Sequence, residues 1–174
     1  MSTQVIQIQK NSTPTPTQPA VFDPQAAVAN AGDTITFNNA DSQAHWPAPS
    51  AANQTGFFPF EIIAGAQSGN LGLAPNVIAV TAASPTNPVV FTTAAPAPAN
   101  NSIVQIKGAT GNWVKINGRF PATNVTPTSF SIDVKGSDFG PLTGTLTVNA
   151  TYTLNYVCAL HPAETGSITV NPQP

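Results

Sequence analysis

The stretch YTLNYVCALHPAETGSITV, residues 152–170, carries the most information about the fold of this chain. Polar and apolar residues alternate before Cys158 and again over Ser167–Val170, which predicts two strands joined by a tight loop. Cys158 and His161 lie three residues apart in that loop. A thiolate and an imidazole at this spacing can face one point in space, so the loop predicts a metal site.

The histidine and cysteine content of the chain matches one such site. The chain has one cysteine and two histidines, and the other histidine, His45, follows a predicted strand over Thr34–Phe37 and a polar loop. Two imidazoles and one thiolate form the trigonal ligand set of type 1 copper. The sequence therefore predicts that His45, Cys158 and His161 bind one metal ion.

Composition favours a small all-β protein. The chain has 174 residues, of which 7% are charged, with 18 prolines and 12 glycines. This length supports one principal core, and the many turn-forming residues favour short strands over long surface helices. The net charge of −2 gives no electrostatic basis for binding nucleic acid. No apolar stretch approaches the roughly 20 residues that a membrane-spanning helix needs, so we expect no membrane span.

The N-terminal residues 1–19 are predicted to form a short strand, Val5–Gln9, followed by an extended Pro/Thr-rich connector over residues 11–19. The first ten residues lack the basic start, apolar core and cleavage site of a signal peptide. We expect a periplasmic or extracellular protein whose leader is absent from this sequence. A virion or cell-surface assembly is the alternative.

A second proline-rich stretch, residues 94–101, predicts a boundary. The segment beyond it is net positive, whereas the rest of the chain is net negative. The predicted organisation is a main domain of residues 20–98 and 146–174 with an inserted β-rich segment, residues 99–145. Within the insert, Trp113–Ile116 is predicted to be a strand. An ordinary run of strands within one larger sandwich is the alternative to an insertion.

Three stretches together resemble the cupredoxins, the small blue copper proteins: the Phe-x-Pro at residues 22–24, the stretch AGDTITFNN at residues 31–39 with His45 after it, and the opening block, residues 152–170. The likeness covers roughly residues 20–48 and 146–171. It implies a Greek-key β-sandwich in which His45, Cys158 and His161 bind copper. It also implies that Asn39 ties the loop of the first histidine to the cysteine loop.

The chain departs from the cupredoxin pattern at the axial position. Where short-loop members of the family carry methionine, this chain carries Glu164, and its only methionine is Met1. A carboxylate is a harder ligand than a thioether and favours the oxidised ion, so coordination by Glu164 would lower the reduction potential. A solvated carboxylate beside the axial position is the alternative.

Three function classes follow. The first is a mononuclear copper electron-transfer protein that meets a weak, transient redox partner near His161, across a small apolar patch. The residues of this patch are Ala159, Leu160, Pro162 and Ala163. The second is a copper or zinc protein without an electron-transfer role, and the third is a structural surface or virion module that assembles through residues 99–145. No hydrolase constellation or phosphate-binding loop is present in the sequence, so we do not expect an enzyme.

Overall fold

The computed structural model describes residues 1–50, 60–94 and 96–173. Within these ranges the chain forms sixteen strands and one short 3-10 helix, Gly111–Ile116. The strands are β1 (Thr3–Thr15), β2 (Gln18–Asp23), β3 (Ala26–Asn30), β4 (Thr34–Asn39), β5 (Pro47–Pro49), β6 (Leu71–Gly72), β7 (Asn76–Ile78), β8 (Val80–Ser84), β9 (Val89–Thr93), β10 (Ile103–Lys107), β11 (Gly118–Pro121), β12 (Thr123–Thr126), β13 (Ser129–Ile132), β14 (Thr147–Ala150), β15 (Tyr152–Cys158) and β16 (Thr165–Asn171). The predicted all-β class is confirmed.

The chain divides into two compact units. The first consists of Met1–Ala74 and Thr153–Val170, and the second of Pro75–Tyr152 and Asn171–Pro174. The predicted insert, residues 99–145, lies inside the second unit. That unit also takes in residues that the sequence assigned to the main domain, because β9 pairs with β13 of the insert and β7 pairs with β14 of its C-terminal flank, while β8 pairs with β9.

The first unit is a β-sandwich. One sheet has the strand order β2-β1-β4-β6 and the other β3-β16-β15-β5, so the chain crosses between the sheets at each step from β2 to β6, in Greek-key fashion. Tyr156 of one sheet packs edge-on against Phe22 and Phe37 of the other, with ring centroids 4.9 and 5.2 Å apart. Ile35 and Phe37 of β4 are fully buried, and Thr36 between them is buried as well. The predicted sandwich is therefore present in the part of the chain that contains the site residues.

The second unit builds its own core between two further sheets. Their strand orders are β11-β10-β14-β7 and β12-β13-β9-β8. Val104 and Ile106 of the first of these sheets belong to one buried apolar cluster with Phe91 and Phe130 of the second. This core shares no residue with the sandwich of the first unit.

The segment Trp113–Ile116 is not the strand that its alternation predicts. It belongs to the 3-10 helix, and both Trp113 and Ile116 are buried. A 3-10 helix has three residues per turn, so apolar side chains three positions apart lie on one side. Gly111 begins the helix with a φ of 58°, a left-handed conformation that glycine adopts without a steric penalty. No helix of the described residues is long and apolar enough to cross a membrane.

β1 continues through residues predicted to be a connector. It pairs in parallel with β4 as far as Ile8 and antiparallel with β2, with an irregularity between Lys10 and Thr15. The Pro/Thr-rich stretch is thus the outer end of a hairpin. Proline is tolerated there because its missing N–H breaks no bond to a neighbouring central strand.

Gly166 offers a test of the packing around Tyr156. A Cβ at Gly166 would overlap the Tyr156 ring, which the surrounding aromatic residues hold in place. We expect Gly166→Ala to lower the free energy of unfolding by about 1–3 kcal/mol, as measured by chemical denaturation. Gly72→Ala is the control, since a Cβ there meets no atom within 4 Å. Equal stabilities for the two variants would contradict this packing.

Candidate metal centre

The pairing of β5 with β15 brings the predicted ligands together. His45 follows β4 and exchanges two backbone hydrogen bonds with Ile62, of 3.1 and 2.7 Å. β5 begins two residues later and pairs with β15 so that Pro47 lies opposite Cys158. His45 therefore lies beside the C-terminal loop, although 113 residues separate it from Cys158.

Backbone hydrogen bonds close the loop that carries the other three predicted ligands. The N–H of Cys158 donates to the carbonyl of Glu164 at 2.9 Å. The N–H of His161 donates to the carbonyl of Cys158 at 3.2 Å, and the N–H of Glu164 donates to the carbonyl of His161 at 2.9 Å. The backbone under each of the three side chains is thus fixed by the loop itself.

Trp46 connects this loop to the one that carries His45. Its N–H donates to Cys158 Sγ at 3.3 Å, and its carbonyl accepts from the N–H of Ala159 at 2.8 Å. The N–H···S contact is suited to a thiolate, which is a stronger acceptor than a thiol.

Asn39 has a different role from the one that the sequence resemblance implies. Its Nδ2 donates to the carbonyls of Gln43 and Ile62, and its Oδ1 accepts from the N–H of Asp41. These contacts all lie on the His45 side of the site. Asn39 therefore shapes the loop before His45, and in the described structure Trp46 makes the connection to the cysteine loop.

Three donor atoms form a compact triangle. Cys158 Sγ lies 3.8 Å from His45 Nδ1 and 3.5 Å from His161 Nδ1, and the two nitrogens are 3.3 Å apart. A point about 2 Å from all three atoms exists, which matches metal–nitrogen and metal–sulfur bonds of about 2.0 and 2.3 Å. The residues present therefore fit a single metal ion.

Glu164 supplies a fourth donor and is buried, with 1% of its surface exposed. Its Oε2 lies 2.8 Å from His45 Nδ1 and 3.7 Å from His161 Nδ1. Its Oε1 accepts a hydrogen bond from the N–H of Ala20 in β2, at 2.8 Å. The four donor atoms lie within 4.8 Å of one another, and the Glu164 carboxylate is buried rather than exposed to solvent.

Asp41 is a member of the site that the sequence did not predict. Its Oδ2 lies 3.0 Å from His45 Nε2, on the side of the ring away from the other donors. The sequence signal was weak, because an aspartate four residues before a histidine in a polar loop has no characteristic motif. The hydrogen bond from the Ala20 N–H to Glu164 could not be predicted from the sequence either, because a backbone donor does not depend on the residue type.

The surrounding acceptors change the protonation of His45. Burial disfavours its charged form, but hydrogen bonds with Cys158, Glu164 and Asp41 outweigh this effect and raise the pKa of His45 from 6.5 to about 10. Burial also disfavours the charged form of Asp41, yet hydrogen bonds from His45 and from the backbone of Ser42 leave its pKa below the ordinary value. The raised pKa favours the protonated form of His45 in the metal-free protein.

His161 is the one predicted ligand that reaches the surface, with 13% of its side chain exposed. The apolar residues that precede and follow it in the loop are exposed, as the sequence analysis anticipated. These are Ala159, Leu160, Pro162 and Ala163. A small apolar patch thus surrounds the exposed edge of the imidazole.

No protein-family model matches the sequence, and no curated protein matches it significantly. Among solved structures, a reduced amicyanin variant matches with a TM-score of 0.33 and 12% identity over 96% of this chain and 80% of that chain. An oxidised amicyanin variant gives 0.34 and 14% with the same coverages. A copper-containing nitrite reductase from Thermus scotoductus SA-01 gives 0.33 and 10% over 99% of this chain and 62% of its own. Likenesses this distant do not establish a function for this chain.

The raised pKa of His45 predicts how the metal-free protein responds to pH. Between about pH 7 and pH 9.5, folded His45 keeps a proton that unfolded His45 loses. Its contribution to stability is complete below pH 6.5 and is lost as the pH rises towards 10. We therefore expect the free energy of unfolding, measured by chemical denaturation, to fall across this interval.

Glu164→Gln removes one of the carboxylates that hold the proton, so the pH dependence of stability should weaken in this variant. Glu61→Gln is the matched control because Glu61 is exposed, and it should retain the slope of the wild type. A metal-free wild type whose stability is constant or rises over the interval would contradict the assignment.

Proposed function

We propose that this chain is a mononuclear copper protein of the cupredoxin type that transfers single electrons. The observation that carries the proposal is the convergence of Cys158 Sγ with the Nδ1 atoms of His45 and His161, at separations of 3.3 to 3.8 Å. A thiolate with two imidazoles in one plane is the ligand set of type 1 copper. Copper bound there would supply one-electron redox chemistry.

The protein holds its donors in a fixed geometry. Cys158 is fully buried, and its Sγ accepts a hydrogen bond from the Trp46 N–H. The loop of residues 158–164 is closed by its own backbone hydrogen bonds. Side chains fixed in this way move little when the charge between them changes. This restraint suits electron transfer, in which both oxidation states must be accommodated by one arrangement.

Glu164 is proposed as the axial ligand. Its Oε1 is engaged by the Ala20 N–H, which leaves Oε2 directed at the two imidazoles. An anionic oxygen stabilises Cu(II) more than Cu(I), so the site is expected to have a lower reduction potential than a methionine-ligated one. In metal-free protein, Oε2 accepts a hydrogen bond from protonated His45 Nδ1, so metal binding at that nitrogen competes with a proton.

Electrons are proposed to enter and leave through His161. Its exposed edge within the apolar patch of residues 159–163 fits a weak, transient contact with a redox protein. Four protein donors leave no open coordination position of the kind that catalytic metal sites keep, so we propose a non-enzymatic role. A periplasmic or extracellular location and assembly through residues 99–145 remain part of this proposal.

Zinc is the second candidate metal. Four converging donors of which one is a buried carboxylate also suit tetrahedral Zn(II), which has no redox role. Native mass spectrometry of protein prepared without added metal distinguishes the two, because bound copper and bound zinc give different masses.

Copper binding has a direct optical test. The protein is expected to bind one Cu(II) per chain with strong visible thiolate-to-copper absorption, and Cys158→Ala should abolish this band because it removes the only thiolate. Leu160→Ala is the control, since it changes the same loop without removing a donor, and it should retain the band. Absence of both the band and calorimetric binding in the wild type would refute the proposal.

Coordination by Glu164 is tested by Glu164→Met. We expect the spectrum to shift towards that of a blue copper site and the affinity for Cu(II) to fall relative to Cu(I). A tenfold fall in Cu(II) affinity relative to Cu(I) affinity raises the reduction potential by about 59 mV. Glu61→Met carries the same substitution at an exposed position and should leave spectrum and potential unchanged. An unchanged spectrum in Glu164→Met would show that the carboxylate is not a ligand.

A further inference from the structure

Asp41 contacts the imidazole of His45 on the side of the ring that faces away from Cys158. Its side chain is 4% exposed, and its Oδ2 lies 3.0 Å from His45 Nε2. Nε2 is the ring nitrogen directed away from Cys158, since Nδ1 is the atom near both the thiolate and Glu164. A carboxylate at Nε2 accepts the N–H there, so the proton that a neutral imidazole retains stays on Nε2 and leaves Nδ1 available to a metal.

The loop before His45 holds the Asp41 carboxylate in place. The backbone N–H groups of Ser42 and Gln43 donate to it, and the Asp41 N–H donates to Asn39 Oδ1. Asn39 is in turn held by the carbonyl of Ile62, the residue that exchanges backbone hydrogen bonds with His45. One network of hydrogen bonds therefore holds the backbone on both sides of the contact between Asp41 and His45.

Asp41 also alters the charge of the site. With Cys158 as thiolate and Glu164 ionised, Asp41 is a third negative charge around the position of the ion, and all three residues are buried. A divalent ion offsets two of these charges, whereas a monovalent ion offsets one. Each uncompensated charge in a buried site is costly, so the third carboxylate favours the divalent state.

We propose that Asp41 is a positioning residue that orients His45 Nδ1 towards the metal and makes the centre select Cu(II) over Cu(I). This inference rests on the proposed copper site. It differs from the proposed action of Glu164 because Asp41 lies on the far side of the imidazole and acts through His45. The two carboxylates thus favour the oxidised ion by separate routes.

The test compares Cu(I) and Cu(II) affinities, measured by competition with chelators of known affinity, in Asp41→Asn and Asp41→Ala. Asp41→Asn removes the charge but keeps an acceptor oxygen, whereas Asp41→Ala removes both. We expect Asp41→Ala to weaken Cu(II) binding by about 10- to 100-fold, the usual effect of losing such a hydrogen-bond partner, and Asp41→Asn to weaken it by less. In both variants Cu(I) binding should weaken less than Cu(II) binding. Each tenfold loss of Cu(II) affinity relative to Cu(I) affinity raises the reduction potential by about 59 mV.

Asp33→Asn is the matched control. Asp33 is also a buried aspartate of the first unit, but it accepts from the N–H groups of Ser2 and Asn30. The variant Asp33→Asn should leave the ratio of the Cu(I) and Cu(II) affinities unchanged. Equal weakening of Cu(I) and Cu(II) binding in Asp41→Asn, with an unchanged potential, would overturn the selectivity, because a purely structural residue acts on both ions alike.

A second measurement needs no copper. In the zinc-loaded and the metal-free protein, nitrogen-15 NMR follows the exchange of the His45 Nε2 proton with solvent, and we expect this exchange to be faster in Asp41→Ala than in the wild type because the variant lacks the acceptor. Equal exchange rates in the two proteins would overturn the positioning role. If the wild type binds no copper, the proposed function and the selectivity both fail, while proton exchange in the metal-free protein still decides whether Asp41 holds the Nε2 proton.

Discussion

The pairing of Cys158 with Pro47, where β15 runs beside β5, is the contact on which the candidate metal centre depends. It brings the loop after β4 against the loop after β15, and the bonds of Trp46 to Cys158 and Ala159 then fix the two loops to each other. Without this register, His45 would not face the thiolate. The sandwich therefore acts mainly as a support that holds two distant loops in contact.

The sequence contained enough to predict the members of the cluster but not their surroundings. Cys158 and His161 were found from their spacing, and His45 from the lack of any other imidazole. A sandwich that places both loops at the same end is enough to bring these three side chains together. Asp41 was missed because its role depends on the path of a polar loop, and residue type alone does not determine that path.

Some elements of secondary structure follow from the sequence pattern alone, whereas others depend on how the chain packs. Alternation identified β4, whereas the same pattern over Trp113–Ile116 belongs to a 3-10 helix, because two apolar residues three apart suit either structure when one side is buried. The Pro/Thr-rich N-terminal stretch lacked an apolar face of its own. Its strand structure comes from β2, its hairpin partner, so local composition gave no sign of it.

The hydrogen bond from the Ala20 N–H to Glu164 Oε1 joins residues 144 positions apart in the sequence. Ala20 belongs to β2 and Glu164 to the loop before β16, so the carboxylate fastens the opening hairpin of the sandwich to its closing strand. A change at Glu164 would therefore act in two places at once, on the candidate metal centre and on the contact between the N-terminal hairpin and the C-terminal loop.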